Sequence, residues 1–421
     1  MILAIVLFVI IYVLMMIFQK WRPAIALAGA AVFLITGMLP LKSLFETIDF
    51  NVLLMIAGTM GTVAMMIESK MPQLLADLMI EKVPNVKWAI ILLSLFAGIV
   101  SAFIDNVATV LMIAPIALAI SRKQKINPVG MIISIAVSSN LQGAATLVGD
   151  TTSILLGGYA NMDFMDFFVY NGKPGIFWAV ELGALAAASI LLFLFNKETA
   201  PVVPGERTKV TDYVPTLLLS GTVVALIVAS FIPNKPSMIN GIICVSFMVV
   251  GIIYSIIRKK SVKAAWDVLK EIDYPTLGLL LGLFVVVGGI SNMGVIDAIA
   301  GLFSKIGGGN VFVIYTALVW LSVLFSAFID NIPYVATMLP VVSGIAAELG
   351  ADPTILYFGL LSGATLGGNL TPIGASANIT GIGIVRKEGY EVKNKDFLKI
   401  GIPFTLAAVI PAYIFLLVFY Y

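Results

Sequence analysis

The stretch Ser101–Asn106, with the sequence Ser-Ala-Phe-Ile-Asp-Asn, occurs twice in this chain of 421 residues. It returns as Ser326–Asn331, so that Asp105 and Asp330 are separated by 330 − 105 = 225 positions. Each copy places an Asp-Asn pair in the middle of an apolar segment long enough to enter a membrane, where a carboxylate is costly and usually functional. Two copies, one in each half, predict a duplicated transporter with its site where the repeats meet.

The composition indicates a helical membrane protein. Hydrophobic residues make up 60% of the chain and charged residues 11%, whereas soluble domains carry about 45–50% apolar and about 25% charged residues. Apolar runs of about 20 residues favour helices, because a β-barrel would show shorter alternating segments. The single cysteine, Cys244, excludes an internal disulfide and a thiol cluster for a metal. The chain has no histidine, so we expect a carboxylate to carry any proton near neutral pH.

The hydropathy pattern predicts two kinds of membrane segment. Full-length helices are predicted at 2–18, 24–40, 50–67, 176–195, 214–232, 239–257, 275–290 and 400–420. Segments 88–120 and 311–347, which carry the Asp-Asn pairs, are predicted to be re-entrant hairpins. Segments 128–160 and 354–385 are interrupted by Gly, Thr, Asn and Pro and are predicted to be broken helices, because irregular backbone at membrane depth must line a cavity or be buried.

These elements predict an all-α polytopic membrane protein with inverted-topology repeats, each with a re-entrant hairpin and a broken helix. The alternative is an ordinary bundle with two polar helix pairs. The first repeat and its connecting helix would occupy 1–195, a cytoplasmic linker 196–213, and the second repeat with the C-terminal helix 214–421. The apolar N-terminal segment lacks a basic region and a cleavage site, so we interpret it as a retained helix and not a signal peptide.

The distribution of basic residues predicts the orientation, since Lys and Arg favour the cytoplasmic side. With both termini outside and both hairpins re-entrant, the 25 basic residues divide into 21 inside and four outside, the four being Lys42, Lys173, Lys235 and Lys305. The cytoplasmic segment around Ala264–Trp266 is expected to form an interfacial helix.

The shift of 225 positions holds beyond the hairpins and defines a candidate site. Thr146–Gly149 aligns with Thr371–Gly374, so each half contributes a hairpin tip and a broken helix. A half-helix N-terminus suits an anion or a substrate oxygen, whereas carboxylate and amide oxygens suit a cation. The candidate substrate- and ion-binding residues are Asp105, Asn106, Thr146, Gly149, Asp150, Thr151, Ser153, Asp330, Asn331, Thr371, Gly374, Ser376 and Asn378. Within this set, a Na⁺ site is predicted at Asp105, Asn106, Asp330 and Asn331.

Each candidate also has a purely structural interpretation. The tip aspartates could be helix N-caps, and the glycines could only permit close helix packing. Asp150, whose repeat position is Ala375, could carry the coupling proton or cap a half-helix. Glu181 lies within a predicted helix, and its role is open. Asn140 and Thr365 align by the same shift and could merely satisfy backbone groups.

The tip motif with the following Val107–Thr109 resembles the hairpin tip of the ion transporter superfamily. Its Asp form, together with Ala145–Asp150 and Asn369–Asn378, resembles the branch of arsenite pumps, NhaD-type antiporters and the melanosomal P protein. Divalent-anion/sodium symporters and citrate transporters are related to this branch. One departure concerns the ligand set: that branch commonly has Pro-Pro-Asn where this chain has Thr151–Ser153.

Residues and resemblance together predict a secondary active transporter and not an enzyme. No Walker-type motif is present in the sequence, so a gradient would supply the energy. The predicted cargo is a small inorganic ion or oxyacid, through arsenite or antimonite transport or Na⁺/H⁺ exchange. Citrate or another dicarboxylate is the alternative, disfavoured because we expect no Lys or Arg at membrane depth. An ion channel and an intramembrane aspartyl protease are the alternatives outside this class.

The partners follow from this class of protein. We expect a homodimer in the lipid bilayer of the cell membrane, with a small ion or oxyacid as substrate. No nucleic-acid partner is expected, and no cofactor apart from Na⁺ or H⁺ as the coupling ion.

Overall fold

The computed structural model describes every residue of the chain except 203–206. The described part is almost entirely helical. In the first half the helices are α1 (Ile2–Ile17), α2 (Arg22–Ile35), α3 (Leu44–Thr47), α4 (Phe50–Ser69), α5 (Met71–Ile80), α6 (Val86–Ser101), α7 (Asn106–Gln124), α8 (Val129–Gln142), α9 (Thr151–Tyr159) and α10 (Ile176–Leu194). Two short antiparallel strands, β1 (Val169–Tyr170) and β2 (Lys173–Pro174), lie between α9 and α10.

The second half continues the same helical architecture. Its helices are α11 (Val214–Ser230), α12 (Ile239–Lys259), α13 (Lys263–Leu269), α14 (Tyr274–Asn292), α15 (Val295–Ile306), α16 (Val311–Ser326), α17 (Asn331–Leu349), α18 (Thr354–Gly367), α19 (Ser376–Lys387) and α20 (Asn394–Tyr420). Helix α13 fits the predicted interfacial helix, and its Trp266 side chain is exposed. Helices α5 and α15 were not predicted, because their 10 and 12 residues are too short to give a spanning hydropathy signal.

The helix lengths agree with a polytopic membrane protein. Within the described residues, seven helices are long and apolar enough to cross a membrane by length and composition: α4, α7, α10, α12, α14, α17 and α20. Helices α1 and α2 pass the same test only as a pair, and they are bent by 118° at the turn between them. Helices α7 and α17 each continue through an internal proline, Pro115 and Pro340. The predicted all-α polytopic class is confirmed.

The boundaries of four consecutive helices repeat with the shift seen in the sequence. Helices α6, α7, α8 and α9 begin at Val86, Asn106, Val129 and Thr151, and the helices α16, α17, α18 and α19 begin at Val311, Asn331, Thr354 and Ser376. Each pair of starts differs by 225 positions, as in 311 − 86 = 225. Equivalent positions in the two halves are therefore occupied by the hairpin tips, 102–106 and 327–331, and by the breaks in the broken helices, 143–150 and 368–375.

Some residues contact their own repeat equivalents near the centre of the molecule. The Asn140 amide nitrogen donates to the Thr365 carbonyl oxygen at 2.8 Å, and these residues are 225 positions apart. Gly183 packs against Ala408, its equivalent at the same shift, so closely that an added Cβ would lie 2.6 Å from the Ala408 oxygen. A residue can contact its equivalent only near the axis that relates the copies. An approximate two-fold axis therefore passes between α8 and α18 and between α10 and α20.

Equivalent helices run in opposite directions about this axis. Thr47, just before α4, packs against Gly288 near the end of α14. The Tyr420 hydroxyl at the end of α20 donates to the Pro174 oxygen, just before α10, at 3.1 Å. Helix α4 is therefore antiparallel to α14, and α10 is antiparallel to α20, as inverted repeats require.

The two ends of the first hairpin, α6 and α7, meet the same segment of chain. At its start the Val86 N–H donates to the Ala200 oxygen at 2.9 Å, and at its end the Gln124 amide donates to the Pro201 oxygen at 2.8 Å. Because both ends of the hairpin lie beside 200–201, α7 ends on the same side of the protein as α6 begins, as a re-entrant hairpin requires.

The predicted linker 196–213 supplies that segment, although its Pro204 and Gly205 lie outside the described residues. Beyond the gap, Arg207 pairs with Glu81 at 2.5 Å, and this hydrogen bond lowers the pKa of the Glu81 carboxyl. The division of the chain into two units at this linker stays a prediction.

Candidate functional site

Both hairpin tips and both broken helices border one cavity of about 670 Å³. Seven predicted site residues line it: Asp105, Asn106, Gly149, Asp150, Thr151, Asn331 and Ser376. Helix α4 and the segment around α13 and the start of α14 form the remaining walls. Residues that are more than 200 positions apart in sequence are thus neighbours in space.

The tip aspartates cap the helices that follow them. Asp105 Oδ1 accepts hydrogen bonds from the N–H groups of Val107 and Ala108 at 3.0 and 3.1 Å, at the start of α7. Asp330 Oδ1 accepts from the Ile332 N–H at 3.2 Å, at the start of α17. Each cap uses only one carboxylate oxygen, so capping leaves Oδ2 available for a ligand.

The other six predicted site residues do not line the cavity. Four of them support the tips: the hydroxyls of Thr146 and Thr371 donate to the carbonyl oxygens of Ala102 and Ala327. Ser153 and Asn378, at equivalent positions, donate to the carbonyls of Gly143 and Gly368 at 3.1 Å each. These side chains satisfy carbonyls that lack intrahelical partners at the ends of α6 and α16 and at the ends of α8 and α18. Asp330 belongs to the second tip but does not line the cavity, and Gly374 packs against the backbone of Ser326 and Ala327.

Gly149 and Gly374 let the broken helices approach the tips closely. An added Cβ at Gly149 would lie 2.6 Å from the Gly143 oxygen, and one at Gly374 would lie 2.6 Å from the Gly368 oxygen and 2.7 Å from the Ser326 oxygen. Backbone atoms surround both positions, so a methyl group forces the tip to move.

We expect Gly374→Ala to lower the apparent melting temperature of the purified protein by several degrees, since overpacking costs about 1–3 kcal/mol. A thermal unfolding curve in detergent measures this. The matched control is Gly383→Ala in α19, where an added Cβ meets nothing within 4 Å. Equal melting temperatures for the two variants would show that the second tip is not packed as described.

Asp150 links the first broken helix to the second tip. Its Oδ1 accepts from the Thr151 N–H at 2.7 Å, and its Oδ2 accepts from the Thr152 hydroxyl at 3.1 Å and the Asn331 amide at 3.3 Å. The side chain therefore caps α9 and also bonds across the repeats, although the residue is only 3% exposed. Ala375, its repeat equivalent, has no polar side chain to make such a bond.

A buried amide network connects the first tip to the second broken helix. The Asn106 amide donates to Asn140 Oδ1 at 3.0 Å, and Asn140 donates to Asn369 Oδ1 at 3.1 Å. Asn369 in turn donates to the Val137 carbonyl at 2.8 Å. Asn140 thus does more than satisfy backbone, because it joins the two repeats beside the cavity.

A basic side chain, Arg22, contacts the second tip, so the expectation that no Lys or Arg lies there is wrong. Arg22 is the first residue of α2, and its Nη1 lies 3.0 Å from Asp330 Oδ2, with the two side chains 15% and 9% exposed. The Ser376 hydroxyl donates to the same oxygen at 3.2 Å. No pattern in the sequence predicts this pair, because a basic residue between two apolar segments is typical of an ordinary loop.

Other charged side chains also line the cavity: Glu68, Asp267, Lys270 and Glu271. Asp273 also lines the cavity, and it caps α14 by accepting from the Thr276 N–H at 3.1 Å. Glu181 is not among the lining residues; it accepts from the Gln142 amide at 3.3 Å. Among the described residues no three His, Cys, Asp or Glu side chains are grouped so as to hold a metal ion. The carboxylates are therefore distributed along the cavity, and the Na⁺ site stays a prediction.

A helical membrane protein whose antiparallel repeats bring two hairpin tips to one central cavity has the architecture of a secondary transporter. Residues 12–363 match the citrate transporter family CitMHS, and the chain belongs to this family. An uncharacterised transporter of Mycobacterium tuberculosis is 30% identical, with 99% of this chain and 98% of that protein covered. The P protein of Homo sapiens is 26% identical, with 93% of this chain and 56% of that protein covered. The predicted superfamily is confirmed.

The fold also resembles a solved structure. The YdaH transporter of Alcanivorax borkumensis superposes with a TM-score of 0.59 at 13% identity, with 96% of this chain and 97% of that chain covered. At this identity the likeness concerns the fold alone.

Proposed function

We propose that this chain is a secondary active transporter that exchanges Na⁺ for H⁺ at its two hairpin tips by alternating access. The observation that carries the proposal is the charge of the site. Among the described residues, six acidic side chains and one lysine, Lys270, line the cavity, the acidic ones being Glu68, Asp105, Asp150, Asp267, Glu271 and Asp273. Asp330 lies beside the cavity and is paired with Arg22. An excess of carboxylates away from bulk water attracts small cations, and each carboxylate can also carry a proton.

Transport of a neutral oxyacid is a second form of the same proposal. Arsenite or antimonite would be held by the amides of Asn106 and Asn331, which line the cavity, and driven by proton exchange. Thiol ligation plays no part in this form, because the only cysteine of the chain, Cys244, is buried in α12 away from the cavity lining.

Symport of citrate or another dicarboxylate is the competing candidate. The family description favours it, and so do the N-termini of α9 and α19, where Thr151 and Ser376 line the cavity. Helix N-termini attract anions. Against it, a multivalent anion in the cavity would meet six acidic side chains and one basic side chain, Lys270, from the described part of the chain, so accompanying cations would have to offset the repulsion.

The asymmetry of the two halves supports alternating access. Gly158 in α9 packs against Asp49 at the start of α4, where an added Cβ would lie 2.5 Å from the carboxylate. Gly383, the repeat equivalent of Gly158, meets nothing within 4 Å. A contact that one repeat makes and the other lacks is expected when one side of the transporter is closed and the other open.

The positions of the cavities are consistent with an inward-facing state. The cavity at the tips extends to Glu68 and Lys270, on the face that the basic residues assign to the cytoplasm. A second cavity of about 800 Å³ is lined by Asp163 and Lys235, on the opposite face, and contains neither tip aspartate.

Proteoliposomes loaded with a pH-sensitive dye test the proposal. An imposed Na⁺ gradient should drive a saturable proton flux, whereas an equal K⁺ gradient should not. Parallel assays with radiolabelled citrate and with arsenite separate the other cargoes. Saturable citrate uptake without Na⁺-driven proton flux would overturn the proposed exchange and favour symport, and flux without saturation would indicate a channel.

A further inference from the structure

We propose that Arg22 is a built-in counter-cation for the second hairpin tip. It occupies the cation position beside Asp330 when Na⁺ is absent, and binding of Na⁺ at Asp330 displaces it. This inference rests on the proposed function, because it takes Asp330 to be an ion-binding carboxylate.

The contacts show that the two tips are in different states. Both oxygens of Asp330 are engaged: Oδ1 caps α17, and Oδ2 accepts from Arg22 at 3.0 Å and from Ser376 at 3.2 Å. Asp105 Oδ1 caps α7 in the same way, but its Oδ2 accepts no hydrogen bond from the described part of the protein. The first tip is thus ready to receive a cation, and the second already holds one.

A hydrogen bond to the backbone also fixes the position of the Arg22 side chain. Its Nε donates to the Met15 carbonyl at 3.2 Å, across the turn between α1 and α2. As the first residue of α2, it lies at the positive end of the helix dipole, where a cation is disfavoured. The stability of α2 therefore does not explain a basic residue here, whereas the pair with Asp330 does.

Arg22 has no charged equivalent in the other repeat. Gly282 of α14 packs on Ala26 of α2, and Gly58 of α4 packs on Cys244 of α12. Ala26 and Cys244 therefore occupy equivalent positions, which differ by 244 − 26 = 218 residues. A second pair gives the same shift. Phe33 of α2 packs on Gly289, and Gly251 of α12 packs on Met65, so Phe33 and Gly251 differ by 251 − 33 = 218 residues.

With this shift the equivalent of Arg22 is Asn240, since 240 − 22 = 218. Asn240 lines the second cavity, on the opposite face. The second tip therefore has a charged partner from α2, whereas the equivalent residue of α12 is a neutral amide beside the second cavity, which contains neither tip aspartate, so the counter-cation can act at only one tip.

The pair also joins two parts of the structure that alternating access would separate. Arg22 belongs to α2, which packs along α14, whereas Asp330 belongs to the hairpin of α16 and α17. Exchange of Arg22 for a mobile cation would release the tip from α2 without leaving an unpaired carboxylate, which is costly away from water.

The test compares Arg22→Gln with wild type in Na⁺-driven proton flux and in the Na⁺-induced thermal shift of the purified protein. Removal of a competing charge in contact with the carboxylate should lower the half-saturating Na⁺ concentration about ten-fold. Arg22→Lys should stay close to wild type. The double variant R22Q/D330N should bind Na⁺ no better than D330N alone, because Arg22 acts through Asp330.

Arg122→Gln is the matched control, since Arg122 forms an exposed ion pair with Glu388 remote from the cavity. Its half-saturating Na⁺ concentration should equal that of wild type. If R22Q does not fold, Arg22→Met keeps the alkyl stem and provides the same comparison.

The outcomes distinguish this inference from the proposed function. Wild-type protein that responds to Na⁺, together with R22Q and R22M variants of unchanged half-saturation, would overturn the role of Arg22 and leave the exchanger intact. Wild-type protein with neither Na⁺-driven flux nor a Na⁺-induced thermal shift would overturn both.

Discussion

Asp105→Asn and Asp330→Asn should each reduce Na⁺-driven flux in proteoliposomes to background while the protein still folds and inserts. Asparagine keeps the capping oxygen that bonds Val107 and Ala108 at the first tip and Ile332 at the second. The variants therefore preserve the start of α7 and α17. What they remove is the negative charge that a cation requires.

The two variants should differ in stability. D105N removes a carboxylate that pairs with no basic side chain in the described part of the chain, whereas D330N leaves the partly buried Arg22 without its counter-charge. Breaking a buried pair by removing one partner costs about 3–5 kcal/mol, less where the pair is only partly buried. D330N should therefore melt at a lower temperature than D105N, and R22Q/D330N should recover part of the loss.

Asp352→Asn is the control for both tip variants. Asp352 accepts from the Thr354 N–H at 2.8 Å at the start of α18, so it makes the same kind of cap outside the site. It should transport normally. Near-wild-type flux in both D105N and D330N would show that the tip aspartates are caps only.

Asp150→Asn should remove proton coupling and flatten the pH dependence of transport, while substrate binding weakens less. The chain has no histidine, and Asp150 is the carboxylate that bonds both the first broken helix and the second tip. An asparagine at this position can still cap α9, but it cannot take up or release a proton. Transport rates measured over a range of pH, with substrate binding measured separately, separate the two effects.

Glu181→Gln provides the comparison for this second prediction. Glu181 bonds Gln142 and does not line the cavity, so its variant should keep the wild-type pH profile. If instead D150N keeps that profile and E181Q loses it, the coupling proton is carried at Glu181.

The repeat, the membrane class and the positions of the tips could be predicted from the sequence because each depends on local composition. A duplicated segment keeps its helix boundaries, so the shift from Asp105 to Asp330 also locates the starts of α6 to α9 and α16 to α19. A carboxylate within an apolar segment is rare because it is costly, and this rarity identified the tip residues. Caps, breaks and hydrophobic length are all encoded within about 20 residues of chain.

The division of the candidate residues into two groups required the tertiary structure. Thr146 and Asn378 have the same chemistry as Thr151 and Asn331, yet the first two bond backbone carbonyls and the last two line the cavity. The difference arises from which helix-end carbonyls lie within reach of each side chain, and this depends on how the break folds back on the tip.

Arg22 is the clearest case of a residue that only the structure could assign. It lies 308 positions from Asp330 and belongs to a turn between two apolar helices. It reaches the tip because small residues let α2 pack closely along α14, with Ala26 against Gly282. Hydrophobic periodicity determines that these helices form, but the close packing of one helix against another determines which distant side chains meet.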